Sequence, residues 1–558
     1  MSERKLGSVT YREVGEEYFD KRGLRRHAGV LSLWALGVGA VISGEFYGWN
    51  FGLGTGGFGG LAIAGVVMAI MYYGLVYSIA EMSPALPHTG GAYSFARSAM
   101  GPWGGFLTGL AENMEYVITP AVVVGAMGLL WQQIMVGLFE VGGRFNAEGA
   151  VVDIAWWNSL PFWWAVFYVI FVGINIIGIE ATMKFTVAIT VLSLAVLAFF
   201  FIAALLSGDF STSNWTNIPE GGGAALPNGG GPFLPFGIEG IFKALPFAIW
   251  FFLAIEEVPL AAEESMDPRR DVPRGSVLGM HTLLIAAVLT LLINTGLPGG
   301  ASLFGGSGFP LLDGFKAIFE GEKIAYVFGL LFMIGLIASF FTIIFAYGRN
   351  TYSLSRAGYF PHFLSVTHGV RKTPHVALIA GAVVGYVVAI VIFILQENDL
   401  GAQIVAAMLN MAVFAAVISY ILQMVSFVVL RRNLPNIARP YRSPWGVPGA
   451  VIAGVLAATA LIAIFLNEGY RPGVYGVAIY YVLGVIYFAV AGRNRLVLSP
   501  EEEFALTAGE SGVPQESYDT SAAAQEAILR GGPDTMSATT QAPSPPSEPP
   551  PPSTPSDA

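Results

Sequence analysis

The sequence contains no cysteine and has few charged residues. Asp, Glu, Lys and Arg make up 12% of its 558 residues, whereas a soluble domain carries about 25%. The absence of cysteine excludes disulfides, thiolate metal sites and cysteine nucleophiles. The shortage of charge excludes a string of soluble domains, because such domains cover their surfaces with charged side chains.

Features of other protein classes are also missing. No basic stretch interleaved with aromatic residues occurs, so we predict no nucleic acid binding. No phosphate-binding glycine loop lies in a soluble segment, which leaves ATP-driven pumping without support. The six histidines fall in loops or at the ends of apolar runs, so we expect neither a zinc site nor a cofactor.

Apolar residues are abundant instead, at 54% of the chain. Long charge-free stretches recur, for example at 185–206, 324–348 and 376–396. A helix needs roughly 20 apolar residues to cross a hydrocarbon core of about 30 Å. The sequence therefore predicts an all-α membrane protein with twelve transmembrane helices, near 29–56, 59–82, 101–136, 160–179, 184–207, 240–264, 276–298, 324–349, 374–395, 402–431, 447–467 and 473–491.

The distribution of basic residues predicts the orientation. An even number of spans puts both termini on one side, and Lys and Arg accumulate on the cytoplasmic side of a membrane protein. With the termini inside, five of the 28 Lys and Arg residues fall outside, namely Arg144, Lys243, Lys316, Lys323 and Arg471. We expect a multi-pass protein of the cytoplasmic (inner) membrane with both termini in the cytoplasm.

The chain divides into five regions. We predict a cytoplasmic segment at 1–28, two five-helix units at 29–207 and 240–431, two terminal helices at 447–491, and a disordered Pro/Ser-rich cytoplasmic tail at 499–558. A docking segment for a cytoplasmic partner is the alternative for the tail. The mixed-charge segment 263–274 is predicted to be a salt-bridged connector at the inner end of the sixth span.

Two predicted spans carry features that break helices. The first has four glycines and a carboxylate within 37–48, and the sixth has two adjacent carboxylates and a proline within 250–259. Gly and Pro weaken a helix, and non-helical backbone at that depth persists only when it lines a cavity or is buried in protein. Interrupted spans at matching positions of two halves are typical of an inverted-repeat transporter. Hinges or close helix packing are the alternative.

Three acids outside the sixth span are candidates for chemistry. Glu45 is either a first-turn acid that the local helix dipole stabilises or a counter-charge for a cationic substrate. Glu112 and Glu115, with Thr108 and Thr119, follow a helical spacing that puts all four side chains on one face. Because two nearby carboxylates repel each other, one of them can retain a proton. We consider both a proton-coupling site and a structural hydrogen-bonded pair.

The sixth span offers two more acids. Glu256 and Glu257 are adjacent, so on a regular helix they point about 100° apart and at least one should face the cavity. Trp250, Phe251 and Phe252 precede them and could bind an ammonium group through their ring faces. Ordinary core packing is the alternative for these aromatic residues.

Several motifs resemble those of the amino acid–polyamine–organocation superfamily, and within it the ethanolamine permease branch. The superfamily resemblance rests on residues 37–46, 87–93, 261–274 and 355–361, and it covers roughly residues 28–495. The branch resemblance rests on residues 43–53 and 87–124. The superfamily fold has two inverted five-helix repeats plus two terminal helices, with the substrate between broken spans 1 and 6 and beside spans 3 and 8.

The resemblance, together with the acids above, gives a candidate substrate-binding set. Residues 43 and 44 match the superfamily's substrate-contacting turn, and 250–257 match its aromatic gate and unwound stretch. The full set is Ile42, Ser43, Gly44, Glu45, Glu112, Trp250, Phe251, Phe252, Ala254, Glu256 and Glu257.

The chain departs from the superfamily pattern at two places. Glu45 replaces an apolar residue beside the turn that holds a substrate carboxylate, so a cation without a carboxylate should fit better. Ser193 replaces a lysine that couples transport to protons in many members, so coupling must use a carboxylate or Na⁺, or be absent. Ser193, Ser339 and Thr342 form a possible cation site, although such hydroxyls often serve helix packing.

The sequence thus predicts a secondary transporter and not an enzyme. We expect alternating-access uptake of a small organic cation, ethanolamine, with H⁺ or Na⁺ as a possible coupling ion and the lipid bilayer as its setting. An amino acid or polyamine permease of the same superfamily is the first alternative. A transporter-like nutrient sensor that signals through its tail is the second.

Overall fold

The structure is a computed structural model of the chain. It describes residues 3–6, 8–12, 18, 21–86, 90–147, 150–217, 231–395, 399–466 and 470–497. The predicted tail at 499–558 lies outside the described residues, as do three residues of the motif at 87–93.

Helices dominate the described chain, because a helix satisfies its backbone polar groups internally where water is absent. In chain order they are α1 (Val30–Val41), α2 (Ser43–Phe46), α3 (Phe51–Ala85), α4 (Ala92–Gly137), α5 (Leu160–Ile177), α6 (Ile179–Leu206), α7 (Gly237–Ala248), α8 (Pro268–Leu289), α9 (Gly300–Phe304), α10 (Pro310–Ile318), α11 (Glu322–Arg356), α12 (His375–Leu395), α13 (Asp399–Asn433), α14 (Gly446–Leu466) and α15 (Arg471–Val490).

Eleven helical segments of the described chain are long and apolar enough to cross a membrane, and the shorter apolar segment Val30–Phe46 adds to them. Many large apolar side chains on these helices are exposed, among them Val169, Leu206 and Val490. Helix α4 packs against both α11 and α13. The chain is therefore a multi-pass helical membrane protein. The count of twelve spans, the inverted repeat and the region boundaries stay predictions.

Both predicted helix breaks are confirmed. In the first span α1 ends at Val41, α2 ends at Phe46, and Tyr47 is extended before α3 begins. In the sixth, α7 gives way to a 3₁₀ turn at Ile249–Phe251 and then to Ala254, whose φ of +80° lies in the left-handed region. The backbone continues as a 3₁₀ helix, Ile255–Glu264, instead of returning to an α-helix.

Glycines bend two of the longer helices. Gly57, with φ +68°, interrupts α3 at the boundary that the sequence predicts between spans 1 and 2. Gly101, with φ +75°, lies inside α4, which begins nine residues before the predicted start of span 3. This non-helical glycine separates the residues from Ala92 onward from the rest of α4, so the predicted start of span 3 coincides with the kink, where a Gly-Pro pair at 101–102 is typical of a helix beginning.

A small sheet joins the two ends of the described part of the chain. Strands β1 (Glu3–Leu6) and β2 (Val9–Arg12) form an antiparallel hairpin, and β5 (Leu496–Val497) pairs in parallel with β2. Both described ends therefore lie on the same face of the helix bundle, which we call the inner end after the orientation that the sequence predicts. A second, two-stranded sheet pairs β3 (Arg144–Phe145) with β4 (Val151–Val152). The all-helical prediction did not include these strands.

Candidate functional site

The two broken spans touch each other at their breaks. A Cβ atom on Gly44 would lie 1.9 Å from the carbonyl oxygen of Trp250, so glycine alone fits there. The Trp250 ring also covers Gly48, whose φ is +96°. The glycines of span 1 therefore allow close packing against span 6 and also accompany the helix break. The two interpretations of these glycines, a break and close packing, are both correct.

Five carboxylates lie buried around these breaks: Glu45, Glu112, Glu115, Glu256 and Glu257. Among the described residues, neither carboxylate oxygen of Glu45, Glu115, Glu256 or Glu257 has a hydrogen-bond partner. Glu112 differs, because its Oε2 accepts a bond of 3.2 Å from the Asn350 side chain. The acids at 112 and 115 face inward together with the two threonines of their stripe, as the helical spacing predicts.

Four of the five acids form one group, which we call the acidic cluster: Glu112, Glu115, Glu256 and Glu257. The carboxyl group of Glu115 lies next to that of Glu256, and the charges of Glu112 and Glu257 also act on Glu115. Two ionised carboxylates only accept hydrogen bonds, so a proton or a cationic ligand is needed to join Glu115 to Glu256. Helix α4 and the break of span 6 thus each contribute two acids to this cluster.

Tyrosines that the sequence did not single out complete the cluster. The Tyr420 hydroxyl, on α13, lies next to Glu256 and receives a bond of 3.2 Å from the Tyr72 hydroxyl. The Tyr72 ring in turn lies 5.3 Å from that of Phe252, between centroids. Sequence reasoning missed both tyrosines, because nothing in a local pattern shows that α3 and α13 meet at the sixth span.

Glu45 is not counted in the acidic cluster, because the group beside its carboxyl is the hydroxyl of Thr290. Thr290 begins a π-helical turn, Thr290–Asn294, and its hydroxyl and the Asn294 amide are buried without a partner among the described residues. Glu45 is buried, and its place in one substrate site with Glu256 or Glu257 stays a prediction. A π turn leaves no signal in an apolar sequence, which is why Thr290 was missed.

The aromatic residues before the sixth-span acids have different surroundings. Phe251 stacks on Trp49 with centroids 5.5 Å apart, in the hydrophobic core. The ring centroids of Trp250 and Tyr47 lie 6.3 Å apart, beside the break of span 1. Core packing therefore accounts for the position of Phe251. Phe252 instead contacts Tyr72, whose hydroxyl reaches the acidic cluster by way of Tyr420. The backbone turns between them and the acids at Ala254.

Hydroxyl groups tie span 1 to α11. Ser43 donates a bond of 2.9 Å to the Ser339 hydroxyl, which itself donates to the Ala40 carbonyl at 2.5 Å. Thr342 donates to Ala338 O within its own helix, and Ser193 donates to carbonyls of α6 and α11. These bonds to helix carbonyls are the ones expected if Ser193, Ser339 and Thr342 serve helix packing. A cation site there stays a prediction. Ile42, between α1 and α2, is buried.

Two ion pairs lie at the inner end, one fully buried and the other partly exposed. The Arg349 guanidinium binds both carboxylate oxygens of Glu264, at 3.0 and 2.9 Å, and both side chains are fully buried. Arg356 binds Glu263 in the same way. We call these four residues the inner lock. The predicted salt-bridged connector is thus confirmed for its first two acids, and their partners lie on α11.

The chain before α1 also belongs to this closure. The backbone N–H groups of His27 and Ala28 donate to the Glu264 carbonyl at 2.8 and 2.9 Å, and Met266 N–H donates to the Ala28 carbonyl at 2.8 Å. Spans 1, 6 and 8 are therefore joined at the inner end by one continuous set of hydrogen bonds.

Comparison with known proteins gives consistent results. The family model for amino acid permeases matches residues 29–490. An uncharacterized transporter, R00093 of Rhizobium meliloti strain 1021, is 30% identical over 488 residues, which covers 84% of this chain and 92% of the relative. The branched-chain amino acid permease BcaP of Bacillus subtilis is 27% identical over 484 residues, covering 85% and 95%. A methylthioribose transporter of the same species is 23% identical over 432 residues, covering 76% and 85%.

Proposed function

The chain belongs to the amino acid permease family, and from that premise we propose that it takes up a small organic cation, ethanolamine, by alternating access across the cytoplasmic membrane. Membership alone gives a transporter with a small-molecule substrate in a membrane, and points away from an enzyme. The substrate, the mechanism, the inner membrane and the cytoplasmic position of both termini are the proposal.

The observation that carries the proposal is a surplus of buried acid. Buried arginines of the described chain bind elsewhere: Arg349 and Arg356 in the inner lock, Arg22 to Ser365, and Arg97 to the Val497 carbonyl. None of these cations pairs with the acidic cluster. A carboxylate in a low-dielectric interior needs a counter-charge, which an ammonium group or a proton supplies.

The chemistry of the site also favours a substrate without a carboxylate. A zwitterionic amino acid would bring one more negative charge among five buried acids, whereas ethanolamine brings only a positive one. Its ammonium group suits Glu115 and Glu256, with the Tyr72 and Phe252 rings beside them for cation–π contact. Its hydroxyl suits the hydroxyl groups at the break of span 1, such as Ser43.

We also propose that Glu112 and Glu115 couple transport to protons. Glu115 lies beside Glu256 with no partner that neutralises it, so protonation and substrate binding compete for the same carboxyl groups. Na⁺ at Ser193, Ser339 and Thr342 is the alternative for coupling, although the bonds that these hydroxyl groups donate to carbonyls are also those of helix packing.

An amino acid permease is the second candidate function, because the relative BcaP is named as a branched-chain amino acid permease. In that case the free N–H groups at the breaks would hold the substrate carboxylate, and the acidic cluster would hold its ammonium group. The charge at Glu45, buried two residues before the extended Tyr47, disfavours this arrangement.

Uptake by proteoliposomes separates the two candidates. Labelled ethanolamine uptake is measured with excess unlabelled ethanolamine, choline, putrescine, alanine or leucine, and empty liposomes give the background. The proposal predicts strong competition by ethanolamine and little by alanine or leucine. Saturable leucine uptake with no ethanolamine uptake would assign the chain to the second candidate. Repeating the assay with imposed H⁺ or Na⁺ gradients identifies the coupling ion.

A further inference from the structure

A groove of about 360 Å³ lies where α5 meets α6, and no residue of the acidic cluster lines it. Four basic side chains contribute to its lining, and we call them the basic groove: Arg25, His27, Lys184 and Arg371. They come from three separate parts of the chain: the segment before α1, the first turns of α6, and the loop before α12.

The basic groove holds more positive than negative charge. Glu180 is the one carboxylate among its lining residues, and it binds Lys184 at 2.7 Å while also facing His27 and Arg25. A single carboxylate therefore lies among three basic side chains, and the Arg371 guanidinium adds a fourth. Guanidinium groups bind phosphate oxygens in pairs, so this excess of charge suits a phosphate ligand.

The apolar part of the lining decides between a dissolved phosphate and a lipid. Ile177 and Val370 line the groove and are more than half exposed. Exposed apolar residues continue from there along α5 and α6, including Ile170 and Val191. A dissolved phosphate has no apolar group to contact these residues. A phospholipid can pack its acyl chains against them while its headgroup stays at the helix ends.

We propose that the basic groove binds the headgroup of an anionic phospholipid, and that this lipid holds the inner end closed. Arg25 and His27 belong to the segment whose backbone N–H groups bind the Glu264 carbonyl. The Glu264 carboxylate is half of a pair in the inner lock. A headgroup that binds this segment better in the closed than in the open arrangement shifts the population toward the closed one.

Lipid titration tests the binding. The purified full-length protein in detergent receives phosphatidylglycerol or phosphatidylcholine, while thermal unfolding and lipid-bound masses are measured. Phosphatidylglycerol should raise the melting temperature and phosphatidylcholine should not. The double variant Arg25→Ala/Arg371→Ala should bind phosphatidylglycerol roughly 10- to 30-fold more weakly, given the usual contribution of a basic residue at an anionic surface. An equal response of variant and wild type overturns the proposal.

Three controls assign the source of any response. The variant Lys243→Ala/Lys316→Ala removes two exposed positive charges from α7 and α10 and should behave as wild type. Glycerol 1-phosphate at the same concentration should not protect, and full protection by it would mean a soluble phosphate site instead. A chain lacking residues 498–558 should respond like the full chain. Loss of its response would place the effect in the tail and overturn the proposal.

Thiol labelling tests the closure. Because the chain has no cysteine, Ser265→Cys introduces a single thiol beside the inner lock, at a position that is buried in the closed arrangement. Its reaction with a maleimide should be slower in phosphatidylglycerol nanodiscs than in phosphatidylcholine nanodiscs, and the Arg25→Ala/Arg371→Ala background should remove the difference. Equal rates in both lipids would show that the lipid does not hold the inner end closed.

Discussion

The Cα of Gly44 lies so close to the carbonyl of Trp250 that a Cβ atom would come within 1.9 Å of its oxygen. This contact joins the break of span 1 to the break of span 6. It fixes the distance between the two pieces of irregular backbone, around which the buried acids are placed.

Replacement of Gly44 by alanine should therefore separate the breaks. The obstructing atom belongs to the backbone, so it cannot move aside as a flexible side chain would, and the loss should be at least the roughly 1–3 kcal/mol of an overpacked core. We expect a lower melting temperature and loss of uptake. Gly65→Ala, in α3 with nothing within 4 Å, is the matched control and should be neutral or slightly stabilising. Normal uptake by Gly44→Ala would contradict this contact.

Glu115→Gln and Glu256→Gln should each reduce ethanolamine uptake by roughly tenfold to a hundredfold, the usual range for losing a hydrogen bond to a charged group. Because the two carboxyl groups lie together and serve one ligand, the double variant should be little worse than the poorer single variant. Glu239→Gln, an exposed acid paired with Lys243, is the control. Strictly additive losses would show that the two acids act independently.

Glu45→Gln tests whether the separate carboxylate also belongs to the substrate site. The proposed counter-charge role predicts a sharp loss of uptake with the amount of folded protein unchanged. If Glu45 instead serves only its own helix turn, uptake persists and the protein is modestly less stable. The uptake rate per amount of folded protein, with both measured on the same preparation, decides between these outcomes.

Arg349→Met should destabilise the protein by about 3–5 kcal/mol, because it leaves the Glu264 carboxylate buried and unpaired. The double variant Arg349→Met/Glu264→Leu removes both charges and should recover most of that stability. Chemical or thermal unfolding in detergent measures both effects. An equally unstable double variant would mean that the side chains matter by their shape and not by their charge.

The sequence predicted those features of this site that local residues produce. The glycines of 37–48 and the Pro259 region predicted both helix breaks. The spacing of Glu112 and Glu115 predicted that both side chains face the interior of the bundle. Tyr72, Tyr420 and Thr290 were beyond prediction, because they reach the acids only through contacts between helices distant in sequence. The pairing of Tyr11 with Leu496 could not be predicted for the same reason, since short strands from opposite ends of the described residues share no sequence pattern.

That pairing leads to a prediction about truncation. Val497 donates its N–H to the Ala357 carbonyl at 3.0 Å, and its own carbonyl accepts from Arg97 at 2.8 Å. Removal of residues 498–558 should leave stability and uptake unchanged, whereas removal of 494–558 takes away β5 and should lower both. Loss of a cellular response with intact uptake in the shorter truncation would instead support the nutrient-sensor alternative.

A cryo-EM map of the protein with bound ethanolamine tests the central claim most directly. The account predicts spans 1 and 6 broken at 47–50 and 249–254, with ligand density within hydrogen-bonding distance of the Glu115 and Glu256 carboxyl groups. Unbroken helices at those positions, or a ligand bound away from both acids, would contradict it.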